Sequence, residues 1–300
     1  MRARRPITAL ATFLSLSAAA SAGAAPTLRV QVDQRGDFLL IGNTLGFDCG
    51  NSTPAPVVGN ASCIGSTSNG DSAPDLHWRS DSPMAGQAEA NVLIPSANAR
   101  STAILSIPAG ATVTHAFLYW GAKGPNNNGD TAVTFDRPGG FTQNVTGVEI
   151  GADGQAYQSF ADVTATVQTN GSGAYRVTGV DLESFNSNND ETVFGGWYLV
   201  VFYQLNTEPP RNLTLYDGFD LVDNNNQQSA TLSGFTVPTA GFTAKLGVVT
   251  FEGDASITGD SLSFDGATLT DGVNPSNNFF NGSRSFLGSP VSVAGDLPQL

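Results

Sequence analysis

The 300-residue chain carries 13 Lys and Arg against 26 Asp and Glu, a net charge of −13, with 40% hydrophobic residues and only two cysteines. Its few cations are scattered singly, which excludes a phosphate-binding surface and therefore nucleic acid as a partner. Apolar residues in short blocks of strand periodicity exclude disorder along the whole length, and the acidity favours solubility and draws divalent cations.

The chain opens with Arg2, Arg4 and Arg5, runs through an apolar stretch from Ile7 to Leu16, and turns to small residues from Ser17 to Ala25. This is the pattern of a secretory signal peptide over residues 1–25, with a mature chain expected from Pro26. A membrane span needs about 20 apolar residues, and Thr8, Thr12, Ser15 and Ser17 interrupt this one. A signal anchor is the lesser reading, and no membrane span is expected once the leader is removed. The mature chain would hold ten Lys and Arg against 26 Asp and Glu, a net charge of −16.

Residues 26–87 form the first expected region. Leu28, Val30 and Val32 alternate with polar neighbours as a half-buried strand, and Asp37 to Ile41 gives a second. Arg35-Gly36-Asp37, an integrin-binding triplet elsewhere, reads here as the turn between them. From Gly42 to Gln87 the chain is rich in Gly, Ser, Asn and Pro. Cys49 and Cys63 fall in this stretch, and in an exported chain an even pair predicts one disulfide. Closing a loop of that size contributes about 3 kcal/mol. Asp75-Leu-His-Trp-Arg79 reads as a covering segment with Trp78 packed inward.

Residues 88–300 form the expected main domain. Strands are predicted at Ala90–Ile94, Thr102–Ile107, Thr112–Trp120, Ala132–Phe135, Val145–Ile150 and Tyr175–Leu182, with turn residues between nearly all of them. His115 is expected on one face with Val113, Phe117 and Tyr119, as a hydrogen-bonded core histidine. Asp162 to Gln168 is open to two readings, a short helical turn with Asp162 as its cap, which is favoured, or a strand in which Val163, Ala165 and Val167 alternate with Thr164, Thr166 and Gln168. Gly195-Gly-Trp-Tyr-Leu-Val-Val-Phe-Tyr203 is apolar on both alternating faces and predicts a central strand covered on both sides. Asp265-Gly266, between Ser261–Phe264 and Ala267–Thr270, predicts a two-residue hairpin. The fold class expected is all-β, an antiparallel β-sandwich of jelly-roll type with an irregular N-terminal part.

Gly195 to Phe219, with Phe251-Glu-Gly-Asp254, Thr258-Gly-Asp-Ser-Leu262 and Asn274-Pro-Ser-Asn-Asn-Phe-Phe-Asn281, resembles a family of secreted bacterial β-sandwich surface proteins, some labelled gliding-motility or adhesin-like. The resemblance covers about Ala88 to Asn281. It implies no enzyme activity and carries over no catalytic residue. Such proteins often precede repeat modules on long surface chains, whereas this sequence stops at Leu300 without one. The expectation is either a freely released protein or a product shortened at its C-terminus.

Three functional classes remain. A non-enzymatic cell-surface or extracellular protein, with an adhesion, envelope or matrix role, would display loops on a stiff scaffold. Its partners would be surface or matrix components, glycans among them, with Trp78 and Tyr157 as candidate stacking residues. A calcium-stabilised version would draw on Glu252, Asp254, Asp260, Asp265 and Asp271, or on Asp217, Asp220, Asp223 and Asn224 to Asn226, since calcium takes six to eight oxygen ligands. Neither set has an EF-hand or β-roll spacing, and turn formation accounts for such residues equally. The enzyme alternative is a glycoside hydrolase or lyase using two carboxylates about 5 to 10 Å apart, with Glu149, Glu183, Glu191 and Glu252 as candidates. No Gly-x-Ser-x-Gly elbow is present, and His77 and His115 are the only bases a serine hydrolase would have. Six Asn-x-Ser/Thr triplets follow from a composition rich in those residues.

Overall fold

The structure is a computed structural model and describes residues 26–48, 57–58, 76–82, 88–89, 94–124, 129–154, 156–184, 193–223, 227–251, 253 and 257–291. The leader, Cys49 and Cys63 with their expected disulfide, Asn224 to Asn226, and the candidates Glu191, Glu252 and Asp254 lie outside those residues.

In chain order the strands are β1 (Thr27–Thr44), β2 (Gly46–Asp48), β3 (Val57–Val58), β4 (Leu76–Trp78), β5 (Ala88–Glu89), β6 (Arg100–Leu105), β7 (Thr112–Lys123), β8 (Ala132–Asp136), β9 (Thr142–Thr146), β10 (Val148–Asp153) and β11 (Ala156–Asp162). The α-helix α1 (Thr164–Asn170) precedes β12 (Gly173–Thr178), β13 (Gly195–Gln204) and β14 (Pro210–Asp217). Two small hairpins follow, β15 (Ser263–Phe264) with β16 (Ala267–Thr268), and β17 (Ser285–Phe286) with β18 (Ser289–Pro290). The all-β class is borne out, with antiparallel pairing throughout both large sheets.

The larger sheet has the order β10-β11-β7-β13-β1-β14 and the smaller β6-β12-β8-β9. Between them lies the main core. Leu118 and Trp120 of β7 and Trp197, Leu199 and Val201 of β13 meet Phe135 of β8 and Tyr175 and Val177 of β12. The indole nitrogens are satisfied inside it, since Trp197 Nε1 donates to Ser101 Oγ at 2.9 Å and Trp120 Nε1 to the Asp130 carbonyl at 3.0 Å. Trp78 is 3% exposed and belongs to this core, as the sequence led one to expect.

The opposite face of the larger sheet carries a second cluster. Phe117, Tyr119, Val200 and Phe202 lie there with Phe38, Leu40 and Tyr198, covered by Val30, Val32, Leu213 and Leu215. The cover arises from β1, which is twice the expected length. Its second half pairs with β13, from Gly36 opposite Gln204 to Thr44 opposite Gly196, and its first half pairs with β14, from Thr27 opposite Asp217 to Arg35 opposite Pro210. The sheet curls accordingly. Central strand β13 is thus apolar on both faces because each face has its own partner layer.

Several sequence expectations are corrected. Arg35-Gly36-Asp37 lies inside continuous β1 and forms no turn. Gly36 is buried, and a Cβ there would stand 1.9 Å from the Tyr203 carbonyl oxygen, so glycine serves close strand approach. The run expected as Val145–Ile150 is two strands, split at Gly147, where the chain passes from the smaller sheet to the larger beneath the Trp120 ring. A register shift between Phe202 and Tyr203 places Phe202 opposite His115 and Tyr203 opposite Val113. Val113 therefore enters the main core while His115 stays with Phe117 on the other face. Helix α1 begins two residues after Asp162, whose Oδ1 accepts the Thr164 N–H at 2.9 Å.

Candidate functional site

The acidic set near the C-terminus is held by its own backbone. Asp265 (φ 49°) and Gly266 (φ 76°) form the tip of the β15–β16 hairpin with the two positive φ values that such a turn requires. Asp271 Oδ1 accepts the N–H groups of Val273 and Asn274 at 2.7 and 2.8 Å, and Asp260 Oδ1 accepts the Phe280 N–H at 2.7 Å. Among the described residues no group of three or more His, Cys, Asp or Glu side chains is gathered to hold a metal ion. Glu252 and Asp254, which would complete the candidate calcium set, lie outside them.

Asp217, from the second candidate set, has a different occupation. The extra residue of the irregularity between Leu28 and Val30 is Arg29, and the local twist of such a bulge re-aims its side chain. Arg29 grips Asp217 with two donors, Nε to Oδ2 at 2.7 Å and Nη2 to Oδ1 at 3.1 Å, and lies 3.8 Å from the Phe160 ring centre. Tyr119 donates its hydroxyl to Asp217 Oδ2 at 2.6 Å and stacks on Tyr198 at 4.6 Å between ring centres. Burial, with the Asp217 hydrogen bond and charge behind it, pushes the Tyr119 phenol well above its ordinary range. A phenol so held is a donor at neutral pH and has no reactivity as a base. Asp220 is half-buried, and burial pushes its carboxyl up.

The carboxylates proposed for hydrolysis answer separate partners. Glu149 Oε2 accepts the Gly129 N–H at 2.9 Å, and Glu183 pairs with Lys123 at 3.3 Å. His115 is half-buried between Phe117 and Phe202, with ring centres 6.2 and 6.0 Å away, and its Nδ1 has no hydrogen-bond partner among the described residues. The expected hydrogen-bonded histidine is corrected to an aromatic-stacked one. Tyr157 is 1% exposed and donates to the Asp181 carbonyl at 2.8 Å. With Trp78 also in the core, neither proposed sugar-stacking ring is presented at the surface.

Two polar clusters escaped the sequence reading. Arg79 and Asp81 form a buried pair, with Nε–Oδ1 at 3.1 Å and Nη2–Oδ2 at 2.6 Å. Arg79 also donates to Asn43 Oδ1, and Asp81 accepts the Thr102 N–H, so the pair ties β1 to β6. At the middle of β1, Asp37 meets Lys245 at 2.8 Å and Arg211 at 3.8 Å, while Arg211 also meets Glu208 at 2.9 Å. Asp37 is more than 170 positions from Arg211 and Lys245 in sequence; the pairing of β1 with β14 brings Arg211 near it, and the segment that crosses the sheet after β14 brings Lys245.

An open cleft of about 460 Å³ lies beside α1, lined by Ile107, Pro108, Val113, Val167, Gln168 and Ser172 among others. Gln168 already donates to the Val113 carbonyl, and Ser172 Oγ accepts the Ile107 N–H. Two of the polar side chains that would orient a ligand there are thus answered within the protein.

Past β14 the chain leaves the sheets and crosses the second face. Lys245 Nζ donates to the Phe38 carbonyl at 2.8 Å and lies 4.2 Å from the Phe38 ring centre. Gly247 sits against Phe38 and Leu40, and Phe251 reaches the floor formed by Gly121 and Gly196, with Phe194 and Tyr198 as flanking rings. Comparison with protein-family models, with curated proteins and with solved structures finds no match.

Proposed function

We propose that this chain is an exported cell-surface or extracellular structural and binding protein with an adhesion, envelope or matrix role. The observation that carries the reading is the occupation of its polar groups. Asp37, Asp81, Asp136, Glu183 and Asp217 are each paired with a cation of the same chain, which stiffens a scaffold. The leader-like residues 1–25 support export. Two sheets around one core support a rigid platform, from which loops contact surface components or glycans.

The test is expression with the native leader in a bacterial host, followed by fractionation and N-terminal sequencing. The reading expects the protein outside the cytoplasm, starting at Pro26, with no cleavage of a polysaccharide panel. Polysaccharide cleavage lost in Glu149→Gln or Glu183→Gln would replace it with the hydrolase reading, and retention of the intact chain in the cytoplasm would remove the surface role.

A further inference from the structure

The two large sheets end in four edge strands, β10 and β14 on the larger and β6 and β9 on the smaller. Three of these carry a device against a further strand. On β6 the Arg100 N–H donates to the Arg79 carbonyl at 2.9 Å and the Asp81 N–H to the Arg100 carbonyl at 3.1 Å, so the segment 79–81 occupies that edge. Strand β10 holds Glu149 and Asp153 and is broken by the register shift between Glu149 and Gly151. Strand β14 starts with Pro210 and holds Arg211 and Asp217. Cover, charge, proline and irregular pairing are the means by which sheet edges resist strand addition.

Strand β9 has none of them. Thr142-Gln-Asn-Val-Thr146 contains no charge, proline or glycine, and its pairing with β8 keeps one register from Thr146 opposite Ala132 to Thr142 opposite Asp136. The bonded positions of this ladder follow from its two ends, where the Arg137 N–H donates to the Phe141 carbonyl and the Gly147 N–H to the Thr131 carbonyl. Bonding in an antiparallel ladder alternates, so Gln143 and Val145 direct their backbone groups at β8, and Thr142, Asn144 and Thr146 direct theirs away from it. Among the described residues nothing hydrogen-bonds to those outward N–H and carbonyl groups. The side chains of the same three residues are exposed, whereas Val145 is buried in the main core.

We propose that β9 is a self-association edge whose partner is β9 of a second copy of this chain, paired antiparallel about a two-fold axis at Asn144. The strand is self-complementary in that register. Asn144 faces its counterpart and Thr142 faces Thr146 of the other copy, so each outward N–H meets an outward carbonyl and every pair exchanges both bonds. On the exposed face Thr then lies opposite Thr and Asn opposite Asn, polar pairs that bond across strands. Charge selects the occupant. A net charge of −13 holds two copies apart over most approaches, and at this edge a strand without acids meets another without acids. Association stops at the dimer, because each copy uses its one unguarded large-sheet edge, and the two four-stranded sheets become continuous. The inference rests on strand register and is independent of the surface role proposed above.

The experiment is sedimentation velocity on the mature full-length chain from about 1 to 500 µM, with circular dichroism as the folding control. The wild type is expected to pass from monomer to dimer and no further, at the weak end of affinities, since one strand pair is a small interface. Asn144→Pro removes an N–H that the monomer does not use, and is expected to abolish the dimer and leave the fold intact. Asn144→Lys and Asn144→Glu each set like charges face to face across the axis, and either alone is expected to weaken the dimer by about tenfold or more. Their equimolar mixture is expected to regain it, because position 144 meets itself only between copies. Under oxidation Asn144→Cys is expected to give a disulfide-linked dimer, its Cα atoms lying about 5.5 Å apart, and Thr142→Cys none, because it faces position 146. A wild type that stays monomeric throughout the range overturns the proposal and leaves the edge to an extended segment of another protein. A dimer that Asn144→Pro does not weaken overturns it too, as do folded charge variants whose mixture shows no recovery.

Discussion

Gly121 stands directly opposite Gly196 on neighbouring strands β7 and β13, and the ring of Phe251 lies against both. A Cβ at Gly121 would sit 2.8 Å from the Tyr157 carbonyl oxygen and 3.0 Å from the Phe251 ring, whereas at Gly196 its nearest neighbour is the Asn43 carbonyl oxygen at 3.3 Å. Gly121→Ala is therefore expected to cost about 1–3 kcal/mol as an overpacking change, and Gly196→Ala less. Urea midpoints of the two variants, measured side by side, check the order.

Gly36 gives a sharper case. Its missing Cβ would meet the Tyr203 carbonyl oxygen at 1.9 Å, and backbone must move to admit it. Gly36→Ala is expected to destabilise by about 3 kcal/mol, whereas Arg35→Ala, on a residue exposed at the same strand, is expected to stay within about 0.5 kcal/mol. Equal effects of the two would mean that the triplet lies in a loose turn and that β1 is not continuous there.

That pair also shows where sequence reading stops. Central strand β13 was legible because Trp197 to Phe202 are apolar on both alternating faces, and the β15–β16 hairpin because Asp-Gly meets a backbone requirement at both positions. Gly36-Asp37 carries the same local wording as a turn, yet its glycine answers a clash with a strand almost 170 residues away, which no local pattern encodes. The acids behaved likewise. Asp265 and Asp271 serve turns and Asp260 accepts the distant Phe280 N–H, while Asp217 serves Arg29, and the residue type is the same in all these uses. Only the pairing of β14 with β1, and the bulge at Arg29, separates a buried ion pair from a candidate metal ligand.

The Arg79–Asp81 pair is wholly enclosed, with relative exposures of 1% and 0% for its side chains. Removing one partner leaves the other charge buried, so Asp81→Ala is expected to cost about 3–5 kcal/mol. Replacing both, as Arg79→Met with Asp81→Ala, is expected to recover part of that loss, because no charge then remains in the core. A double variant less stable than Asp81→Ala alone in guanidinium titration would show that the hydrogen bonds to Asn43 and Thr102 outweigh the ion pair.

For the acidic C-terminal set, the backbone caps predict the response to calcium. Asp260→Asn and Asp271→Asn keep a side-chain oxygen for the N–H groups they accept, Asp265→Asn keeps a residue that tolerates positive φ, and all three remove the charge. Combined in one chain, they are expected to leave the difference in Tm between excess calcium and chelator the same as in the wild type. A wild-type rise that the triple variant abolishes would instead assign these carboxylates to a bound ion.

Buried phenols set the alkaline limit of the fold. Burial pushes Tyr119, Tyr157 and Tyr198 well up, and Tyr175 up to about 12. An unfolded chain releases a phenolic proton near pH 10. Below that pH both states hold the proton and the full stability is present. Above it the unfolded chain has lost protons that the folded chain keeps, so stability falls as pH rises, by up to about 1.4 kcal/mol per pH unit for each of the four groups. Urea midpoints are expected to hold level between about pH 8 and 9 and to drop steeply beyond pH 10. Tyrosinate absorbance near 295 nm should rise for these four only as circular dichroism reports unfolding. Tyr119→Phe is expected to reduce the alkaline slope by one group and to cost about 1.5–3 kcal/mol at neutral pH through the lost bond to Asp217. An alkaline slope unchanged by that variant would show that Tyr119 ionises freely and that its contact with Asp217 is absent in solution.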